Sequence, residues 1–134
     1  MLLLVEDSED DAYFFKHALE KSGATCSLHH VLDGAEAVDF LKNAANGGAQ
    51  NLPRMIFLDL KMPVLNGFEV LEWMRTQNFP ASMQVVVLSG SEHPEDKARA
   101  AQLGVTDYLV KPVRFSDFNR FLCNLCPPGL GARV

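Results

Sequence analysis

Reactive polar side chains follow apolar runs at several separate points of the chain. Asp59 comes directly after residues 55–58, four large apolar residues that are typical of a strand buried on both faces. Glu6 and Asp7 follow another apolar run, and Ser89 and Lys111 each follow a further one. On its own, an Asp after a strand more often starts a turn or caps a helix. Because the pattern recurs, we expect Asp59 to be the reacting residue.

Glu6, Asp7 and Asp59 supply three carboxylates that would repel one another if their strands were central in one sheet. A bound cation would relieve that repulsion, and ligands that are all oxygen favour Mg²⁺ over zinc. A calcium EF-hand fits poorly, because Ala12 and Ala18 stand where its loop needs glycine and glutamate. The pattern therefore predicts a Mg²⁺ site.

Lys111 and Ser89 add an ammonium and a hydroxyl to these acids. With Mg²⁺ and the main-chain N–H groups after Ser89, they could bind the equatorial oxygens of a phosphoryl group. An Asp carboxylate can accept that group as an acyl phosphate. An ordinary salt bridge is the simpler interpretation of Lys111 and one acid alone, but it leaves the other strand ends unexplained.

Strands and helices alternate along the chain. Four short apolar runs predict strands, the mixed apolar and polar segment 26–32 predicts an edge strand, and apolar residues at helical spacing lie between them. This alternation predicts a three-layer α/β fold, in which five parallel strands are joined by right-handed crossovers and covered by helices on both faces. Sites in such sheets lie at the carboxyl ends of the strands. The predicted strands are at residues 2–5, 26–32, 55–58, 85–88 and 108–110.

The segments between the strands differ in how firmly they should pack. Asp33 is expected to open a helix, and residues 43–53, rich in Asn, Gly and Ala, predict a mobile connection. Leu103 is the only large apolar residue near the helix after Pro94, so that helix should be loosely anchored. Trp73 and Phe121 lie off the apolar stripes of their helices and are expected to be exposed. With Phe115 and Phe118 nearby, the last helix would give a surface for a partner or a homodimer.

Composition limits the partners and the location. The chain has 134 residues, a net charge of −5 and no Lys/Arg cluster, which argues against direct binding of nucleic acid. Its apolar runs are far shorter than the ~20 residues that cross a bilayer, and no signal peptide is recognisable at Met1. We therefore expect one domain in the cytoplasm without membrane contact.

Three cysteines, Cys26, Cys123 and Cys126, are an odd number in a chain without a secretion signal, which predicts reduced thiols. Cys123 and Cys126 have CxxC spacing, but no second pair completes a zinc site and they end a helix rather than begin one. We assign them to packing. The four histidines show no metal-ligand spacing.

The combination of Glu6–Asp7, Asp59, Ser89 and Lys111–Pro112, with the sequence MPVLNG after Asp59, resembles the receiver domain of bacterial response regulators. The resemblance runs from Leu2 to about Leu125 and implies a receiver domain at residues 1–126 with a tail at 127–134. It also implies the strand order 2-1-3-4-5 of the flavodoxin and CheY-like folds. The EDSEDD opening and the DGAEAVDFL segment resemble single-domain receivers found with bacterial phytochrome histidine kinases.

The resemblance implies a role for each of the acids. Asp59 would take a phosphoryl group from the phosphohistidine of a sensor histidine kinase. Asp7, Asp59 and the main-chain carbonyl of Lys61 would hold Mg²⁺, and Glu6 would act through water.

Lys111, Ser89 and Tyr108 would respond to the phosphoryl group in the resembled family. Lys111 would bind its oxygens, and Ser89 would turn toward it. Tyr108 would then move into the vacated space and change the surface of the neighbouring helix. The resemblance further implies a cis bond between Lys111 and Pro112.

Three functions compete at this stage. The main hypothesis is a stand-alone receiver that is not an enzyme and that signals by contact with a downstream protein. The second is a small Mg²⁺-dependent phosphatase with Asp59 as nucleophile, although Lys61 stands where such enzymes need an acid. The third is a flavodoxin-like cofactor-binding domain, although Glu6 and Asp7 lie where a phosphate-binding turn needs glycines.

Overall fold

The structure, a computed structural model, describes residues 1–23, 26–62, 64–90, 93–111, 114 and 116. Strands and helices alternate through this part of the chain, as predicted. Apart from Ser116, the predicted final helix lies outside it, together with Pro63, Ser91, Pro112, Cys123 and Cys126. The elements are β1 (Leu2–Val5), α1 (Glu9–Lys21), β2 (Leu28–Val31), α2 (Gly34–Asn46), a 3₁₀ turn (Ala49–Asn51), β3 (Met55–Asp59), α3 (Gly67–Arg75), β4 (Gln84–Ser89), α4 (Pro94–Gln102) and β5 (Asp107–Val110).

The five strands form one parallel sheet in the order β2-β1-β3-β4-β5, which confirms the predicted topology. Val5 pairs with Leu58, and Asp59 pairs with Leu88. Because parallel strands in this register end at nearly the same level, the residues that follow β1, β3, β4 and β5 meet at one edge.

Alternating side chains of the strands build two separate cores, one on each face of the sheet. Leu2, Leu4 and Phe57 pack with the buried residues of α1. Leu3 and Ile56 face the opposite side, where they join buried residues from α2, α3 and α4. The sheet is therefore the middle of three layers, as the sequence predicts.

Helix starts follow the capping signals of the sequence. Asp33 caps α2, because its side chain accepts the Glu36 N–H at 2.8 Å. Asn66 and Glu69 form a reciprocal capping box at α3. These caps fix where the helices leave the carboxyl edge of the sheet.

Helix α4 is loosely anchored, as expected. Ala100 is its one fully buried residue. Arg99 joins it to α3 through Glu72 at 2.8 Å and lies 4.2 Å from the centre of the Phe68 ring. Charged and partly exposed side chains thus provide much of the contact between the two helices.

Three expectations about these elements were wrong. Residues 43–46 are not part of a connection, because α2 continues through its alanines to Asn46 and is capped by Gly47. Trp73 is partly buried rather than exposed, and its ring lies 5.7 Å from that of Phe79. Cys26 is disulfide-bonded rather than a reduced thiol; the other two cysteines of the chain lie outside the described residues.

Replacing Gly34 with Ala is expected to lower the free energy of unfolding by about 1–3 kcal/mol, the usual cost of overpacking. A Cβ there would overlap the carbonyl oxygen of Leu65 and lie 2.8 Å from Val70 Cγ2. Urea denaturation measures the effect. The matched control is Gly90→Ala, because a Cβ at Gly90 would meet no atom within 4 Å. Equal midpoints for both variants would show that the loops near Gly34 shift at little cost.

Candidate functional site

The carboxyl edge of the sheet collects the predicted site residues. Glu6 follows β1, Asp59 and Ser89 end β3 and β4, and Lys111 follows β5. Glu6, Asp59 and Ser89 are buried, with 1%, 5% and 1% of their surface exposed. The strand register therefore brings together residues that are more than 100 positions apart in the sequence.

Lys111 lies at the centre of this group. Its Nζ is 2.6 Å from Glu6 Oε1 and 3.4 Å from Asp59 Oδ2, as the prediction of a shared site requires. A third carboxylate, Asp11 Oδ2, lies 2.8 Å away. The ammonium thus has acidic partners from β1, β3 and α1.

Glu6, Asp7 and Asp59 could hold a metal ion, because one ligand atom from each lies within 4.8 Å of the others. Asp7 is exposed, so the group opens to solvent. Glu6 Oε1 is buried and contacts the Lys111 ammonium at 2.6 Å, a positive charge that a cation could replace. These oxygens fit a hard cation such as Mg²⁺. The role of the Lys61 carbonyl stays a prediction.

The charges in this site are unbalanced. Burial raises the pKa of Glu6 to about 7, with a smaller contribution from the negative charge of Asp59 and an opposing one from Lys111. Burial alone would lower the pKa of Lys111, but its hydrogen bonds to Asp11 and Glu6 outweigh that effect and raise it. The site therefore favours an additional positive charge among its carboxylates.

Main-chain groups hold the acids in place. The Lys61 N–H donates to Asp59 Oδ1 at 3.3 Å. The His30 ring nitrogen Nε2 lies 2.8 Å from the main-chain carbonyl of Glu6, and the tautomer with a proton on Nε2 donates to it. His30 thus supports the turn after β1 through its backbone.

Ser89 and Tyr108 occupy positions next to the site on neighbouring strands. Ser89 O accepts the Lys111 N–H at 2.8 Å. Tyr108 is partly buried against the core and has Lys97 Nζ of α4 5.7 Å from its ring centre. Their response to a phosphoryl group stays a prediction, and so does the cis bond before Pro112, which lies outside the described residues.

Asp11 was missed by the sequence analysis. It does lie in the first turn of α1, and its N–H donates to the capping Ser8 Oγ at 3.3 Å. A usable signal existed, because side chains in a helix lean toward its N-terminus and hence toward the sheet edge here. That signal did not show which charged residue Asp11 would contact.

Comparison of the sequence with known proteins agrees with this arrangement. The family model of the response regulator receiver domain matches residues 2–122. The chain is 38% identical to the probable methanogenesis regulatory protein FilR2 of Methanothrix harundinacea (strain 6Ac) over 120 residues, which cover 90% of this chain and 77% of that protein.

Two of the solved structures with this fold are response regulators. Bacteriophytochrome response regulator RtBRR has a TM-score of 0.78 and 37% identity, over 92% of this chain and 76% of that chain. The Mn²⁺-bound form of response regulator Rcp1, a protein of Synechocystis sp., has a TM-score of 0.72 and 30% identity, over 92% of this chain and 89% of that chain. Within the described residues of this chain, no helix has the length and apolarity to cross a membrane.

Proposed function

Because this chain belongs to the response regulator receiver domain family, we propose that it accepts a phosphoryl group on Asp59 in a Mg²⁺-dependent reaction. Receiver domains are signalling modules rather than enzymes. The observation that carries the proposal is the position of Asp59, a buried carboxylate 3.4 Å from the Lys111 ammonium and within a group of acids that could hold a metal.

Asp59 would act as the nucleophile. A carboxylate oxygen forms a bond to phosphorus while the bond from phosphorus to the donor's imidazole nitrogen breaks, and that nitrogen keeps the electron pair. Mg²⁺ held by Glu6, Asp7 and Asp59 would neutralise charge on the transferring group. Lys111 would bind one phosphoryl oxygen, and the burial of Asp59 would limit the access of water to the acyl phosphate.

A conformational signal would then pass from Asp59 to α4. The Ser89 hydroxyl would turn toward the phosphoryl group, and Tyr108 would follow into the space that Ser89 leaves. This route is supported by the adjacent strands β4 and β5 and by the position of Lys97 over the Tyr108 ring. The altered α4 surface would bind a downstream protein.

We infer that the donor is a sensor histidine kinase of the phytochrome type, acting in the cytoplasm. The support is the similarity to bacteriophytochrome response regulator RtBRR. Phosphotransfer from a purified kinase of that type, compared with transfer from an unrelated kinase, tests this donor.

Incubating the purified protein with Mg²⁺ and a small phosphodonor is expected to add one phosphoryl group, and chelating the cation should prevent the addition. Intact-mass spectrometry measures both results. No gain of mass in the presence of Mg²⁺ would contradict the proposal. Release of phosphate over many turnovers would favour the phosphatase hypothesis instead.

A further inference from the structure

Asp11 binds the same ammonium as two residues of the proposed phosphoryl site. Its Oδ2 lies 2.8 Å from Lys111 Nζ, although 100 positions separate the two residues. The ammonium side chain is 18% exposed, and the Asp11 side chain is 43% exposed. The contact therefore lies at the mouth of the site, on the side of α1.

Four contacts connect Asp11 and Glu6 in a closed ring. The Ser8 N–H donates to Glu6 Oε2 at 3.2 Å, and the Asp11 N–H donates to Ser8 Oγ at 3.3 Å. Lys111 Nζ completes the ring by contacting Asp11 Oδ2 and Glu6 Oε1. Because the first turn of α1 fixes Ser8 and Asp11, it also fixes one partner of the ammonium.

Asp11 differs from the other two partners of Lys111 in one respect. Glu6 and Asp59 belong to the acidic group that could hold a cation, whereas Asp11 does not. When their oxygens turn to a cation, their hold on the ammonium weakens, because one carboxylate cannot serve both positive charges equally. Asp11 then remains as a partner that the cation does not engage.

We propose that Asp11 is a positioning residue, which holds Lys111 Nζ beside Asp59 while Glu6 and Asp59 engage the cation. The inference rests on the proposed function. A lysine side chain without a fixed partner samples many rotamers, and each rotamer away from Asp59 removes positive charge from the phosphoryl oxygens. By holding one N–H, Asp11 leaves the other two donors for the acceptor and the phosphoryl group.

The opposite effect of Asp11 is repulsion of the phosphoryl group by its negative charge. The ion pair between Asp11 and Lys111 at 2.8 Å argues against a dominant repulsion of the phosphoryl group. The ammonium contacts both Asp11 and Asp59, so its positive charge screens one carboxylate from the other. The two effects predict rate changes of opposite sign.

Asp11→Asn is expected to slow phosphorylation by a small phosphodonor about tenfold at saturating Mg²⁺, the effect of losing one charged hydrogen bond. The matched control is Asp10→Asn, which removes the same charge from the same exposed helix turn. Asp11→Glu keeps a carboxylate and should recover part of the rate. Thermal unfolding of all three variants shows whether a slower rate comes from a destabilised fold, because a purely positioning role leaves the unfolding temperature unchanged.

Nitrogen NMR of the Lys111 ammonium supplies a readout that is independent of phosphorylation. An ammonium that is held in hydrogen bonds exchanges its protons slowly with water and therefore gives a detectable signal. Asp11→Asn should weaken this signal, and Asp10→Asn should leave it unchanged. Equal rates and equal signals in the two variants would overturn the inference while the proposed function stands. A faster Asp11→Asn variant would also overturn it, in favour of repulsion. Failure of the wild-type chain to take up phosphate is a failure of the proposed function itself.

Discussion

Replacing Asp59 with Asn is expected to abolish phosphoryl uptake from either a kinase or a small phosphodonor. The amide has almost the same shape but is a far weaker nucleophile than a carboxylate, so no acyl phosphate can form. The wild-type chain should gain one phosphoryl group by intact-mass spectrometry, and the variant should gain none. The structure supports this large effect because Asp59 is a buried acid at the carboxyl edge of the sheet, 3.4 Å from Lys111.

The fold of the Asp59→Asn variant should persist. Burial raises the pKa of Glu6 most, and the charge of Asp59 raises it further, so neutralising Asp59 relieves repulsion between the two acids. Thermal unfolding should therefore occur at the same temperature as in the wild-type chain or above it. An equal mass gain in the variant would show that another residue accepts the phosphoryl group, which would contradict the proposed function.

Replacing Lys111 with Met is expected to slow phosphorylation about 100-fold, the usual effect of removing one group that stabilises developing negative charge. Methionine fills similar space but offers no donor to the phosphoryl oxygens. Affinity for Mg²⁺ should be kept or raised, because a positive charge that contacts Glu6 and Asp59 is removed. Single-turnover kinetics and a calorimetric Mg²⁺ titration measure the two quantities.

Lys16→Met provides the control for Lys111, since it removes an exposed lysine from α1. This control should phosphorylate at the wild-type rate. If the Lys111 variant matched it, the ammonium would serve only to neutralise the resting acids. A large loss of Mg²⁺ affinity in the Lys111 variant would instead indicate that the acidic group is misplaced without its ion pairs.

Much of the fold was predictable because its signals are local. Continuous apolar runs such as residues 55–58 indicate doubly buried strands, and Asp33 and Asn66 mark helix starts by their capping chemistry. The end of α2 was not predictable to the same degree. Glycine and asparagine beyond residue 42 suggested a connection, but the alanines kept the helix intact to Asn46.

The site was predictable where the sheet alone brings residues together. Glu6, Asp59 and Lys111 are placed by parallel strands whose ends must coincide, so a short chain of inference reached them. Asp11 required the direction of a side chain on α1, and the disulfide state of Cys26 could not be read from the number of cysteines. Pairings of that kind depend on tertiary packing, which a single sequence does not encode locally.

Helices α1 and α4 differ in how many side chains they bury, and this difference determines which of them can be displaced at a small cost in free energy. Displacing α1 would return four buried side chains to water, whereas displacing α4 would return one. We therefore expect a conformation with α4 displaced to cost less free energy than one with α1 displaced. If Asp59 takes up a phosphoryl group as proposed, we therefore expect the few new interactions to shift α4 rather than α1.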